Sequence, residues 1–132
     1  MFLGKFLTTF SGNNRIVLPK KFRQELGQGI FYLMMGFNGE IWGFNAKEWD
    51  KEAQKRLEED FTTTVGREKR RIFFSNSEIC SLDSQGRFII PEVMIKGSSL
   101  KSEILILGAG DHFEIWDPGV LEQLENDNRQ KT

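Results

Sequence analysis

Apolar residues along this chain come in short bursts, and their spacing alternates between that of a strand and that of a helix. Lys5 to Phe10 predicts a strand, followed by a polar turn, Ser11-Gly12-Asn13-Asn14, built of residues that accept turn and left-handed geometry. Arg15 to Leu18 resumes as a β-branched, apolar strand. Pro19 suits the first turn of a helix, where its missing N–H costs nothing. Leu18, Phe22 and Leu26 stack one face of that short helix at i, i+4 and i+8, and Gly27 and Gly29 end it by taking positive φ. Ile30 to Met35 reads as a buried strand. Phe37-Asn38-Gly39-Glu40 carries a hairpin signal, because Asn-Gly suits a type I′ turn, and Ile41 to Phe44 returns. Asn45 with Glu48 forms a capping pair for a helix from Ala46 to about Asp60, with Trp49, Ala53 and Leu57 inward. Thr62-Thr63-Thr64 interrupts, and Val65 to Ile72 predicts a second, basic helical segment.

The same plan then returns at an offset of 72 residues. Arg15-Ile16-Val17-Leu18-Pro19 reappears as Arg87-Phe88-Ile89-Ile90-Pro91, and Leu33-Met34-Met35-Gly36 as Leu105-Ile106-Leu107-Gly108. Phe44-Asn45 reappears as Trp116-Asp117, so the register holds from Phe2/Phe74 to Asn45/Asp117 without an insertion. In the second copy Glu78 to Leu82, Arg87 to Ile90, Glu103 to Leu107 and His112 to Trp116 predict strands. Pro91 to Lys96 predicts a short helix stopped by Gly97, and Pro118 opens a terminal helix to about Glu125. The chain divides into a first repeat (1–50), a helical connector (51–72), a second repeat (73–125) and a polar tail (126–132). One half has too little core to stand alone, so the two are expected to interlock around one interior in an α+β fold.

Composition narrows the function classes. The chain has 132 residues, twelve of them Phe, and a net charge of −1. No apolar run approaches the roughly 20 residues that span a bilayer. The start, Met1-Phe2-Leu3-Gly4-Lys5, lacks the layout of a signal peptide, and the single Cys80 excludes an internal disulfide framework; both suggest a cytoplasmic chain. Charge is distributed unevenly. Arg15, Lys20, Lys21 and Arg23 occur within 15–23 without an acid, and Arg67, Lys69, Arg70 and Arg71 surround Glu68. Local basic patches on a balanced protein can hold phosphate without indiscriminate adhesion, although such charges also simply solvate helix faces.

The turn that precedes each repeated arginine is the best candidate for chemistry. Asp83 opens the stretch Ser84-Gln85-Gly86 ahead of Arg87, and an Asp in that place can accept backbone N–H groups two or three residues on. Gly86 frees the backbone before the arginine. The guanidinium, on a stiff base, can meet phosphate or guanine O6 and N7 in bidentate fashion. Structural pairing of Arg87 with Asp83 is the plainer reading, but two arginines at equivalent places favour function. In the first half the turn reads Ser11-Gly12-Asn13-Asn14-Arg15, so serine replaces the acid and Asn14 stands where Gly86 does. The lone His112 reads as structural, Cys80 as a buried thiol, and the three tryptophans as core or subunit contacts. No histidine–cysteine cluster supports zinc, and no cofactor-binding motif is present.

The stretches Arg-Ile-Val-Leu-Pro-Lys-Lys-Phe-Arg at 15–23 and Leu-Asp-Ser-Gln-Gly-Arg-Phe-Ile-Ile-Pro at 82–91 resemble the MraZ family. So do the opening Met1-Phe2-Leu3-Gly4 and the run Gly108-Ala109-Gly110-Asp111-His112-Phe113-Glu114-Ile115-Trp116. The resemblance implies a swapped-hairpin β-barrel with peripheral helices, of the kind shared with AbrB-like regulators. It implies a nucleoid-associated, non-enzymatic transcriptional regulator. Such a protein binds direct repeats in the promoter of its own division and cell-wall gene cluster, as a ring-shaped homo-oligomer. Carried onto this sequence, double-stranded DNA would meet Arg15 and Arg87, with Ser11, Asp83, Asn13, Asn14, Gln85 and Gly86 shaping the loops and Lys20, Lys21 and Arg23 on phosphates. The family has Asp-x-x-x-Arg in both halves, so Ser11 departs from its pattern and predicts a softer first loop. That softer loop and the mild acidity keep a second class open: an AbrB-like interaction module or antitoxin with little DNA affinity of its own.

Overall fold

The computed structural model describes residues 1–27 and 29–131. The first half forms strands β1 (Lys5–Thr9) and β2 (Arg15–Val17), helix α1 (Lys20–Glu25), the hairpin β3 (Ile30–Met35) and β4 (Ile41–Asn45), and helix α2 (Ala46–Leu57). Helix α3 (Thr64–Ser75) connects the halves. The second half repeats the order with β5 (Ser77–Ser81), β6 (Arg87–Ile89), α4 (Glu92–Ser98), β7 (Glu103–Gly108), β8 (Phe113–Trp116) and α5 (Pro118–Gln130).

The halves exchange strands. The six-stranded antiparallel sheet runs β1-β7-β8-β4-β3-β5, so the first strand of each half pairs with the hairpin of the other. β2 and β6 form a separate ribbon, in the register Arg15↔Ile89, Ile16↔Phe88 and Val17↔Arg87. This is the strand exchange of a swapped hairpin. The ribbon buries Ile16 and Phe88 over one face of the large sheet, and the ring of Phe88 meets that of Phe31 edge-on at 4.9 Å. Phe2, Phe22 and Phe113 join the same interior, which therefore draws on both halves. A smaller cluster of Met34, Phe44, Ala53 and Phe73 lies under α2 and α3.

Local signals explain most boundaries. The Asn45 side chain accepts the N–H of Glu48 at 2.8 Å and starts α2. Asp117 accepts the N–H groups of Gly119 and Val120 and starts α5 at Pro118. Gly27 and Gly29 take positive φ after α1, as expected.

Five expectations are corrected. The β3–β4 turn is not type I′, because only Gly39 takes positive φ; the Asn38 N–H is held instead by the buried carboxylate of Glu40 at 2.9 Å. Gly97 does not stop α4. It lies inside the helix, where a Cβ would crowd the Met35 methyl at 3.3 Å, and Ser99 takes the left-handed position. α2 ends at Leu57, short of Asp60, and Asp60 instead accepts the N–H and hydroxyl of Thr62. α5 runs to Gln130, well beyond Glu125. Finally, the repeat slips by one residue in β3 and β7. Phe31 pairs with Cys80 as Ile104 pairs with Thr8; Cys80 lies 72 positions after Thr8, but Ile104 lies 73 after Phe31. The slip decides which side chains face the core, since side chains alternate along a strand. Both Leu105 and Ile106 are apolar, so residue class alone does not reveal it.

Candidate nucleic-acid interface

Alternation along the ribbon sorts its side chains. Ile16 and Phe88 point into the core, so Arg15 and Val17 of β2 and Arg87 and Ile89 of β6 share the outward face. Arg15 stands opposite Ile89 and Val17 opposite Arg87, which puts the two arginines on one diagonal of a four-residue patch. Diagonal neighbours in such a pair are about 7–8 Å apart. Arg15, Asp83, Arg87 and Ile89 also line one open concavity of about 300 Å³. Two residues 72 positions apart in sequence are thereby brought to one surface.

The second loop is strongly organised. Backbone N–H groups of Gln85 and Arg87 donate to Asp83 Oδ1 at 2.9 Å each, and Arg87 Nε donates to Oδ2 at 2.9 Å. The backbone N–H of Arg87 is the main influence holding the Asp83 carboxyl below its ordinary range, with the guanidinium and the Gln85 N–H adding to it. Gly86, at φ 76°, closes the turn with its N–H on the Asp83 carbonyl at 3.0 Å. Gly86 is itself buried, with the guanidinium of Arg23 lying where a Cβ would stand. Its contribution is conformational, while Asp83, Ser84 and Gln85 ahead of it are exposed.

The first loop closes at its ends as the second does but differs within: Gly12 takes φ 89°, whereas its counterpart Ser84 does not take positive φ, and serine stands where Asp83 does. The Ser11 N–H donates to the Arg15 carbonyl at 2.8 Å, as the Asp83 N–H does to Arg87 at 2.8 Å. Asn14 takes φ 58° where Gly86 takes 76°. The loops are also stitched across the two halves: Leu18 N–H donates to the Gly86 carbonyl at 3.0 Å and Ile90 N–H to the Asn14 carbonyl at 2.9 Å. Among the described residues, however, the Ser11 hydroxyl makes no bond within the loop and Arg15 has no ion pair. Arg15 is exposed and untethered, whereas Arg87 is half-buried and pinned.

The remaining basic residues divide. Lys20 and Lys21 are exposed on α1, and Asn13 is exposed at the tip of its loop. Arg23 crosses to the loop of the other half, and its Nε is buried without a hydrogen-bond partner. No sequence signal pairs Arg23 with Gly86, because the contact exists only through the strand exchange. Their counterparts at 92, 93 and 95 are Glu92, Val93 and Ile95, so the basic supplement belongs to the first half alone.

Other reactive groups are accounted for locally. Burial pushes the Cys80 thiol up to about 12, which keeps it protonated and inert. His112 lies in the turn before β8, with Nδ1 2.7 Å from Asp111 Oδ1 and Nε2 3.4 Å from Glu114 Oε2. Burial draws its pKa down, but the hydrogen bonds to Glu114 and Asp111 outweigh it and raise the value. The ring also stacks on Phe44 at 5.2 Å, a structural clamp between β4 and the β8 turn. Among the described residues no three His, Cys, Asp or Glu side chains gather as a metal site, and no helix is long and apolar enough to cross a membrane.

Known proteins share this plan. A family model described as "MraZ protein, putative antitoxin-like" matches residues 1–72 and again 73–131. The chain is 32% identical to the transcriptional regulator MraZ of Caldicellulosiruptor bescii over 129 residues, covering 97% of this chain and 90% of that one. It is 35% identical to the protein of the same name from Clostridium acetobutylicum over 116 residues, covering 88% and 81%. It is 30% identical to that of Finegoldia magna over 128 residues, covering 97% and 89%.

Proposed function

The chain belongs to the MraZ family, a family of non-enzymatic regulators, and from that premise we propose that it is a sequence-specific, double-stranded-DNA-binding transcriptional regulator. The observation that carries this reading is the diagonal pair Arg15 and Arg87 on the outward face of one exposed ribbon. A two-stranded ribbon fits the major groove, and arginine there reads guanine O6 and N7. Lys20, Lys21 and Arg23 supply phosphate contacts, and Asn13 and Gln85 extend from the loop tips. The operator consists of direct repeats in the promoter of the chain's own division and cell-wall gene cluster. The protein acts on the nucleoid, in the cytoplasm, as a ring-shaped homo-oligomer of barrels. One chain offers a small footprint, and joining several on matched repeats raises avidity by roughly 10²–10⁴ without new contacts.

Titration of the upstream DNA by fluorescence anisotropy tests this. Each phosphate neutralised adds roughly −0.9 to the slope of log K against log salt. Deleting one repeat is expected to cost far more than an equal change between repeats. Equal binding to random DNA with a flat salt response would replace this reading by the interaction module, which the untethered first loop favours.

The loop difference yields a further expectation. In Ser11→Asp the new carboxylate is expected to draw the N–H groups of Asn13 and Arg15 into bonds like those Asp83 makes with Gln85 and Arg87, against the different φ of Gly12. Preorganisation lowers the entropy lost when Arg15 docks. Binding should therefore tighten modestly, and Asp83→Ala should weaken it. Repulsion of phosphate by the carboxylate opposes this by roughly the 0–1 kcal/mol of an exposed pair and is screened by salt. Weakening by Ser11→Asp to the same extent at low and high salt would mean that Ser11 contacts DNA itself.

A further inference from the structure

The arginines occupy only one diagonal of the ribbon's outward face. The other diagonal is aliphatic: Val17 is 39% exposed and Ile89 53%. Neither side chain can turn inward, because their neighbours Ile16 and Phe88 already fill the core side of the ribbon. The fold does not need their apolar character, since threonine has a comparable strand preference and tolerates water better. The patch thus alternates a donor-rich cation with a branched hydrocarbon across each rung, Arg15 beside Ile89 and Arg87 beside Val17.

We propose that Val17 and Ile89 are specificity residues that hold the C5-methyl groups of thymines next to the guanines read by Arg15 and Arg87. The inference rests on the DNA-binding reading above and specifies what the same face recognises. The major groove is the surface whose pattern matches: guanine presents two acceptors there, and thymine presents a methyl group. The minor groove presents no methyl, so an aliphatic pair has nothing to meet in it. Spacing agrees. Cross-strand side chains start about 4.5–5.5 Å apart, between one and two base steps of about 3.4 Å. Each methyl-read thymine therefore lies within about two base pairs of an arginine-read guanine. The pseudo-twofold ribbon offers one guanidinium and one aliphatic group from each strand, so a single chain reads two such neighbours.

Replacing thymine by deoxyuridine removes the methyl group and leaves the pairing edge unchanged. Thymines within two base pairs of a guanine in the repeats are substituted one at a time, and affinity is measured by anisotropy. Wild-type protein is expected to lose about fourfold per methyl read, the equivalent of about 0.8 kcal/mol for one buried carbon. Uridine placed elsewhere should change nothing. The double variant Val17→Ser, Ile89→Ser, checked for an unchanged circular-dichroism spectrum, should bind the thymine operator more weakly and gain no further loss from uridine. If wild type binds both operators alike, or the variant still responds to uridine, the methyl assignment is wrong. In that event loss of binding by the Arg15/Arg87 double variant would leave the arginine reading standing. Failure of the wild type to prefer the operator over random DNA would remove both.

Discussion

Replacing Arg15 and Arg87 together by alanine is expected to abolish operator recognition while the fold stands. Each bidentate arginine–guanine pairing discriminates by about 1–3 kcal/mol. Losing two per chain lowers affinity by roughly thirtyfold or more for a single chain, and further when every subunit of an assembly loses them. The fold should survive for reasons visible in the loops. Arg15 is exposed and makes no ion pair among the described residues. Arg87 does bond Asp83, but Oδ1 of Asp83 keeps the two backbone N–H groups that hold the turn. Losing exposed Arg15 costs little, and losing the partly exposed Arg87–Asp83 pair costs no more than an ordinary surface ion pair, a melting shift of a few degrees. Anisotropy titration beside a thermal melt checks both halves of the statement. Binding equal to wild type by the well-folded double variant would refute the role assigned to the ribbon.

Phe113→Ala is expected to be the most damaging single core substitution. The ring is fully buried, and its centroid lies 5.4 Å from Phe2, 5.8 Å from Phe22 and 6.1 Å from Phe31. It belongs to the second half, and all three neighbours belong to the first. It also lies against Gly43, where any Cβ would run into the ring. Truncating a buried Phe costs about 3–5 kcal/mol, against a typical total stability of about 5–15. Because the core is shared, both halves should lose stability together. Urea unfolding followed by tryptophan fluorescence and far-ultraviolet circular dichroism should give one coincident transition, moved to much lower urea. A biphasic curve, in which the signal of Trp42 and Trp49 stays at its wild-type midpoint, would mean that the halves are separate domains.

Much of the architecture is legible along the chain because its causes are local. Asn45 and Asp117 announce helix starts through bonds that reach only two or three residues. Phe22 in α1, with Leu18 just before it and Leu26 just after, shows the buried side of that segment by its spacing. The duplication showed that Arg15 and Arg87 hold equivalent places, and Asp83 ahead of Arg87 showed how one loop stiffens. The differences occur where a familiar local signal met a second contact that the pattern does not show. Asn38-Gly39 suggests a type I′ turn, but the Glu40 carboxylate takes the Asn38 N–H and sets a different closure. Gly97 reads as a helix stop, but Met35 of the other half needs the space.

The amino-acid order alone therefore carries the elements, their duplication and the candidate arginines, because propensity, capping and periodicity act within a few residues. Partnership between strands comes from the fold as a whole. A period of two says that Lys5 to Thr9 is a strand, but not that it pairs with β7 of the other half, nearly a hundred residues away. The exchange lays Arg23 on Gly86, seats Arg15 and Arg87 on one diagonal and turns Val17 and Ile89 outward between them. These contacts follow from burying two incomplete halves in one core, where the gain comes from apolar area removed from water and no short stretch of chain carries that information.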